Sequence, residues 1–249
     1  MNEGCIAVLD SGVGGISVLN ELIKLMPNER YLYFGDNENA PYGNRTKTDL
    51  AIITFRNIDK IMRHRIKALV IGCNTISTTI LDYVSDYAGV PTFGVFPPIE
   101  STLLERKNVL LLSTVRTAKE YEKVKGLSVI GFERLAGDIE SNLNDLSKVD
   151  LVKNINNSNN VFFGKDFNAN IRYETIILGC THYFFIKKQI IDHFRPQNLI
   201  GGNIFTAKTV FEFLKTQKSL EKNKQFTVEF IGKYARQNEN FFKKSGQKT

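Results

Sequence analysis

The chain has 249 residues, 42% hydrophobic and 24% charged, a length that suits one large or two modest domains with a core that needs no disulfide support. Its three cysteines are too few and too odd in number for a secreted cross-linked scaffold, and they are expected as free thiols. The net charge of +7 sits on scattered lysines without an interleaved basic and aromatic motif, which argues against nucleic acid as a partner while leaving a field that draws in a small dianion.

Cys5-Ile6-Ala7-Val8-Leu9 predicts a first strand, with Cys5 as a small packed hydrophobe. Asp10-Ser11-Gly12-Val13-Gly14-Gly15 then opens a helix in which Leu19, Leu22, Ile23 and Met26 share a face, and Pro27-Asn28 ends it. Tyr31-Leu32-Tyr33-Phe34 reads as the second strand, Thr48 to Arg65 as an amphipathic helix, and Ala68-Leu69-Val70-Ile71 as the third strand, which runs into a loop at Cys73. Pro91 to Val95 is a short strand stopped by Pro97-Pro98.

A second series begins at Val109-Leu110-Leu111-Leu112 and has a helix from about Thr117 and a strand at Val129 to Phe132. Asn154 to Asn160 is polar and without periodicity, so it reads as a surface loop. Strands at Thr175 to Leu178 and Leu199-Ile200 follow, then Thr227 to Ile231, a last helix and a solvated basic tail from Lys243-Lys244 to Lys248. The alternation predicts an α/β fold with mostly parallel sheets flanked by helices, in two similar domains with a cleft between them. No signal-peptide pattern or bilayer-length apolar run is present, and the expected location is cytoplasmic.

One pattern occurs twice: an apolar run, then Gly-Cys, then small polar residues. It gives Gly72-Cys73-Asn74-Thr75 and Gly179-Cys180-Thr181-His182. Ligands of open α/β sheets bind at the carboxyl ends of strands, so one thiol from each half of the chain faces a shared substrate. A lone Cys on each side does not make a zinc set, and no Cys-x-x-Cys redox pair is present. The glycine turn at residues 10–15 suits a carboxylate or phosphate at a helix N-terminus, but it is neither a P-loop nor a dinucleotide fingerprint. Pro41-Tyr42-Gly43 reads as a rigid turn or as a loop lining the cleft, and His182 stands beside the second thiol, whereas His64 and His193 fall in solvated helical surroundings.

These segments, with Gly35-Asp36 and Tyr183, resemble the glutamate racemase family of the cofactor-independent aspartate/glutamate racemase superfamily, in the same order over nearly the whole chain. The resemblance implies two α/β domains, residues 1–96 with 206–249 and residues 97–205, and interconversion of L- and D-glutamate without cofactor or metal. D-Glutamate is a building block of bacterial peptidoglycan. By position, Cys73 and Cys180 are the two bases, Asp10 assists Cys73 and His182 assists Cys180. Substrate contacts fall to these four residues and to Ser11, Pro41, Tyr42, Gly43, Asn74, Thr75 and Thr181, with Thr114 and Thr117 matching a threonine pattern. Residues 133–140 match the family only loosely, with Glu140 as the nearest candidate for a glutamate near the substrate, and 199–203 lacks the usual Ser-Gly or Asp-Ser. The implied partner is glutamate, with no membrane, and a homodimer is the candidate assembly. An aspartate or other acidic amino-acid racemase, or a non-catalytic ligand-binding member, is the alternative.

Overall fold

Apolar runs without alternation suit strands covered on both faces, and the chain builds two sheets from them. In the computed structural model, which describes residues 4–157, 159–222 and 225–245, the first half forms β1 (Cys5–Asp10), α1 (Ile16–Leu25), β2 (Arg30–Gly35), α2 (Lys47–Ile61), β3 (Ile66–Ile71), α3 (Asn74–Ala88) and β4 (Thr92–Gly94). The second forms α4 (Ile99–Glu105), β5 (Val109–Thr114), α5 (Val115–Tyr121), β6 (Leu127–Phe132), α6 (Leu135–Ser141), α7 (Leu151–Asn156), β7 (Val161–Phe163), β8 (Thr175–Gly179), α8 (Lys187–Phe194) and β9 (Asn198–Gly201). The chain then returns through α9 (Asn203–Thr216) to β10 (Thr227–Ile231) and α10 (Ala235–Ser245).

The first sheet has the order β10-β2-β1-β3-β4 and is parallel throughout. The second has the order β7-β6-β5-β8-β9, with β7 antiparallel at its edge. In β1, Ile6 and Val8 face α1 and α9, while Ala7 and Leu9 face α2 and α3. β5 divides in the same way, Leu110 and Leu112 on one side and Val109 and Leu111 on the other. Both sheets are thus sandwiched, and ends of their central strands meet at one place. α9 starts before residue 206, and its Ala207, Val210 and Leu214 pack in the first core.

Several expectations change. The loop expected after Cys73 is the start of α3, where Ile76, Ile80, Val84 and Ala88 form the buried stripe. The Asn-rich stretch begins inside α7, and Asn154 is buried because its amide donates to Asp138 Oδ2 (2.9 Å) and to the Asp150 carbonyl. Ser158 of that stretch and Lys248 of the tail lie outside the described residues. Cys5 is only half-buried, with Sγ 3.6 Å from the Arg65 carbonyl, since it precedes a register shift in the β1/β3 pairing. His64 is half-buried, 4.0 Å from Glu229, and His193 is exposed. No helix among the described residues is long and apolar enough to cross a membrane.

Candidate active site

Cys73 follows β3 as the residue capping the N-terminus of α3, and Cys180 follows β8 in the equivalent place of the second sheet. Both are buried, each 5% exposed, and both line one cavity with about 10 Å³ of free room. That is about the room of one water molecule, so an amino acid enters only when the walls part.

Burial, and next the charge of Asp10, push the Cys73 thiol up to about 12. The Ile76 N–H at the start of α3 and the Ser11 hydroxyl, 3.8 Å from Sγ, oppose that rise. Cys73 therefore rests as the thiol, and a negative charge on Cys180 favours this further. Asp10 is fully buried. Its Oδ1 accepts from the Gly12 N–H at 2.8 Å, and its Oδ2 has no partner among the described residues. Burial raises its carboxyl above the usual range despite the attraction of His182.

On the other side, His182 Nδ1 lies 3.8 Å from Cys180 Sγ and its Nε2 lies 2.7 Å from Glu140 Oε1. A carboxylate only accepts, so Nε2 carries a proton, and Nδ1 is free to take one from the thiol. Burial alone would lower the His182 pKa, but the contacts with Cys180 and Glu140 outweigh it and hold it well above the ordinary value. Cys180, His182 and Glu140 thus form a thiol, base and orienting carboxylate in series.

Glu140 explains the glycine turn. The Val13 N–H donates to Glu140 Oε1 at 2.6 Å, so the anion held at the turn preceding α1 belongs to the protein itself. A Cβ at Gly12 would collide with the Glu140 carboxylate, and one at Gly14 with the His182 ring. The turn lacks side chains because two residues of the second half of the chain dock there.

The remaining walls set hydroxyls and amides into a mostly apolar lining. Thr75 and Thr114, from opposite halves of the chain, have hydroxyls 3.1 Å apart. Ser11, Pro41, Tyr42, Gly43, Asn74 and Thr181 also line the cavity, as do Ala40 and Ala136. The Tyr42 hydroxyl donates to Asp36 Oδ2 at 2.6 Å, and Asn57 donates to the same oxygen at 2.8 Å. The Asn74 amide is committed to the Val95 carbonyl at 3.1 Å.

Two expected contact residues lie outside the lining. Asp10 sits beneath the turn, and Thr117 is fully buried behind Thr114, whose hydroxyl reaches it at 3.3 Å. The sequence reading missed Asp36 and Asn57 as supports of Tyr42, and it gave Glu140 no partner. No cluster of three or more metal-ligating side chains placed to hold an ion occurs among the described residues.

Two α/β units each place a thiol on a common cavity, and relatives of the chain are amino-acid racemases, which are isomerases. It is 33% identical to a glutamate racemase of Clostridium botulinum over 86% of this chain and 85% of that one, and the chain belongs to the glutamate racemase family. A glutamate racemase of Clostridium acetobutylicum is 32% identical over 80% of this chain and 79% of its own. The crystal structure of a glutamate racemase from Thermus thermophilus in complex with beta-chloro-D-alanine superposes with a TM-score of 0.77 and 25% identity, covering 98% of this chain and 94% of that one. No family model matches the chain.

Proposed function

We propose that this protein interconverts L- and D-glutamate by two-base proton transfer, with Cys73 and Cys180 on opposite faces of the α-carbon. The observation that carries this reading is that two buried thiols, one from the end of each sheet, line one small cavity.

The Cys180 proton passes to His182 Nδ1, leaving a thiolate beside an imidazolium that Glu140 neutralises. The thiolate takes the α-proton, the C–H electron pair delocalises into the α-carboxylate, and an enediolate forms. The Cys73 thiol then gives its proton to the opposite face of the same carbon. Atoms and charge balance, the two sulfurs have exchanged roles, and the reverse reaction starts from Cys73. The Ser11 hydroxyl and the Ile76 N–H beside Cys73 support the thiolate that each turnover leaves, and the charge of Asp10 opposes it and returns the sulfur to the thiol.

Without an electron sink, the charge building on the carboxylate needs fixed donors in a dry site. Ser11, Thr75, Thr114 and Thr181, with the backbone of the 41–43 segment, supply those donors, and Asn74 holds the wall at Val95. The unpartnered Asp10 Oδ2 is a nearby acceptor for positive charge. The proposed domains, 1–96 with 206–249 and 97–205, each bring one thiol. The name carried by the relatives, glutamate racemase, supports glutamate as the substrate, and D-glutamate for peptidoglycan is the physiological product proposed with it.

Circular dichroism of L-glutamate, D-glutamate and L-aspartate incubated with the purified protein tests the substrate, and deuterium at the α-carbon in D2O tests the chemistry. Cys73→Ala and Cys180→Ala should each abolish racemisation, while the serine variants keep traces. Full activity in either alanine variant refutes the scheme. Rescue of a D-glutamate auxotroph tests the peptidoglycan role.

A further inference from the structure

We infer that Asn238, on the C-terminal helix, is a positioning residue for the Glu140–His182 pair, acting through Asn37. This rests on the two-thiol reading above.

Asn238 is fully buried on a helix that buries little else, Phe241 being the other buried side chain. Its Nδ2 donates to Asn37 Oδ1 at 3.0 Å, and Asn37 Nδ2 donates to Glu140 Oε2 at 2.8 Å. The Glu140 carboxylate meets His182 through its other oxygen. A continuous line therefore runs from α10 to the imidazole beside Cys180.

Its direction is fixed by chemistry. A carboxylate cannot donate, so Asn37 presents its NH2 group to Glu140. The Asn37 oxygen then faces α10, and only a donor satisfies it there. Asn238 supplies that donor.

Packing and energetics set this contact apart from ordinary core filling. A Cβ at Gly35 would meet the Gly12 carbonyl first and Asn238 Nδ2 next, at 2.6 Å, so the amide sits where the chain leaves no room for a side chain. Meanwhile Asn238 Oδ1 has no partner among the described residues. A buried amide with half its capacity unused costs stability, and an apolar side chain of that shape would avoid the cost. What the amide secures is the setting of Asn37. With Asn37 locked, both Glu140 oxygens are engaged and the carboxylate cannot turn away from His182. The contacts join residues 37, 140 and 238, so the final helix of the chain reports to the acid/base pair of the other sheet.

The test uses the full-length protein. Asn238→Leu keeps the branched outline and removes the amide, and Asn238→Ser, too short to reach Asn37, serves if the larger leucine misfolds. Both should lower kcat about tenfold to a hundredfold, the scale of a misplaced catalytic group, with KM for glutamate within about twofold. The kcat–pH limb governed by His182 should move to lower pH, because a loosened Glu140 supports the imidazolium less. The titratable groups facing that ring are Cys180 beside it, Glu140 from α6 and Asp10 from β1. Asn37→Ala with Asn238→Leu should be no worse than Asn37→Ala alone.

Phe241→Leu, on the same helix, should lower thermal stability without moving the pH profile. Unchanged kcat and pH profile in the folded Asn238 variants overturns the inference, as does an equal kcat loss in Phe241→Leu. Neither result touches the two-thiol scheme, which stands or falls with the cysteine variants.

Discussion

Replacing Glu140 by Gln keeps the shape and removes the charge at the point where the two halves of the site meet. The carboxylate accepts from Val13 N–H at 2.6 Å, His182 Nε2 at 2.7 Å and Asn37 Nδ2 at 2.8 Å. Its side chain is 12% exposed and that of His182 4%, so solvent screens little of the interaction. Hydrogen bonds to a charged group contribute about 1.5–3 kcal/mol and neutral ones about 1 kcal/mol, so three weakened bonds amount to roughly 1.5–6 kcal/mol. That agrees with the roughly 3–5 kcal/mol cost of breaking a buried ion pair. For a chain of this size it corresponds to about 3–24 °C in melting temperature.

The effect depends on pH. The His182 pKa is raised by its partners over the lowering effect of burial. A raised folded pKa contributes stability that is full below the unfolded value of about 6.5 and fades as pH climbs through the folded value. The gap in melting temperature between wild type and Glu140→Gln should therefore be widest near pH 6 and narrow toward pH 9. Scanning calorimetry across that range, with kcat measured alongside, checks both parts, and kcat should fall about a hundredfold. A variant melting within 2 °C of wild type near pH 6, at about the precision set by the smallest expected shift, would refute the charge assignment.

Gly14→Ala places a methyl group on the His182 ring and the Thr181 hydroxyl, and overpacking of this kind costs about 1–3 kcal/mol. Urea melts should show that loss together with a fall in kcat, and a wild-type kcat would mean that the ring moves aside freely. Lys67→Met strips Glu29 of its counter-charge at 2.7 Å in a site where Glu29 is 1% exposed; the expected loss is about 3–5 kcal/mol, with kcat of the folded protein unchanged. Glu29→Gln in the same background should recover part of that stability. Cys73, pushed up to about 12 by burial and by Asp10, should react with iodoacetamide hardly at all at pH 7 and faster by about tenfold per pH unit up to pH 11. Rapid labelling of its peptide at pH 7, read by mass spectrometry, would contradict that thiol state.

The strand ends were readable in the sequence because parallel strands covered on both faces leave short apolar runs, and the two Gly-Cys steps mark where those runs stop. α3 went unread: Ile76, Ile80, Val84 and Ala88 recur every four residues, but Asn74-Thr75 has the look of a turn and led to a loop being expected there. The glycine turn was correctly placed at a helix N-terminus and suited to an anion. No local signal showed that the anion is Glu140, 127 residues away.

The sequence by itself determined the periodic pattern of two α/β halves and the residue types that bear chemistry, because strand burial and turn geometry act over a few neighbouring residues. Only the tertiary structure decided which groups face one another. Asp36 holding Tyr42, Glu140 bridging Val13, His182 and Asn37, and Asn238 reaching in from the last helix are contacts of angstrom precision. They arise when separate elements pack, and a carboxylate's partner is set by that packing rather than by its neighbours in the chain.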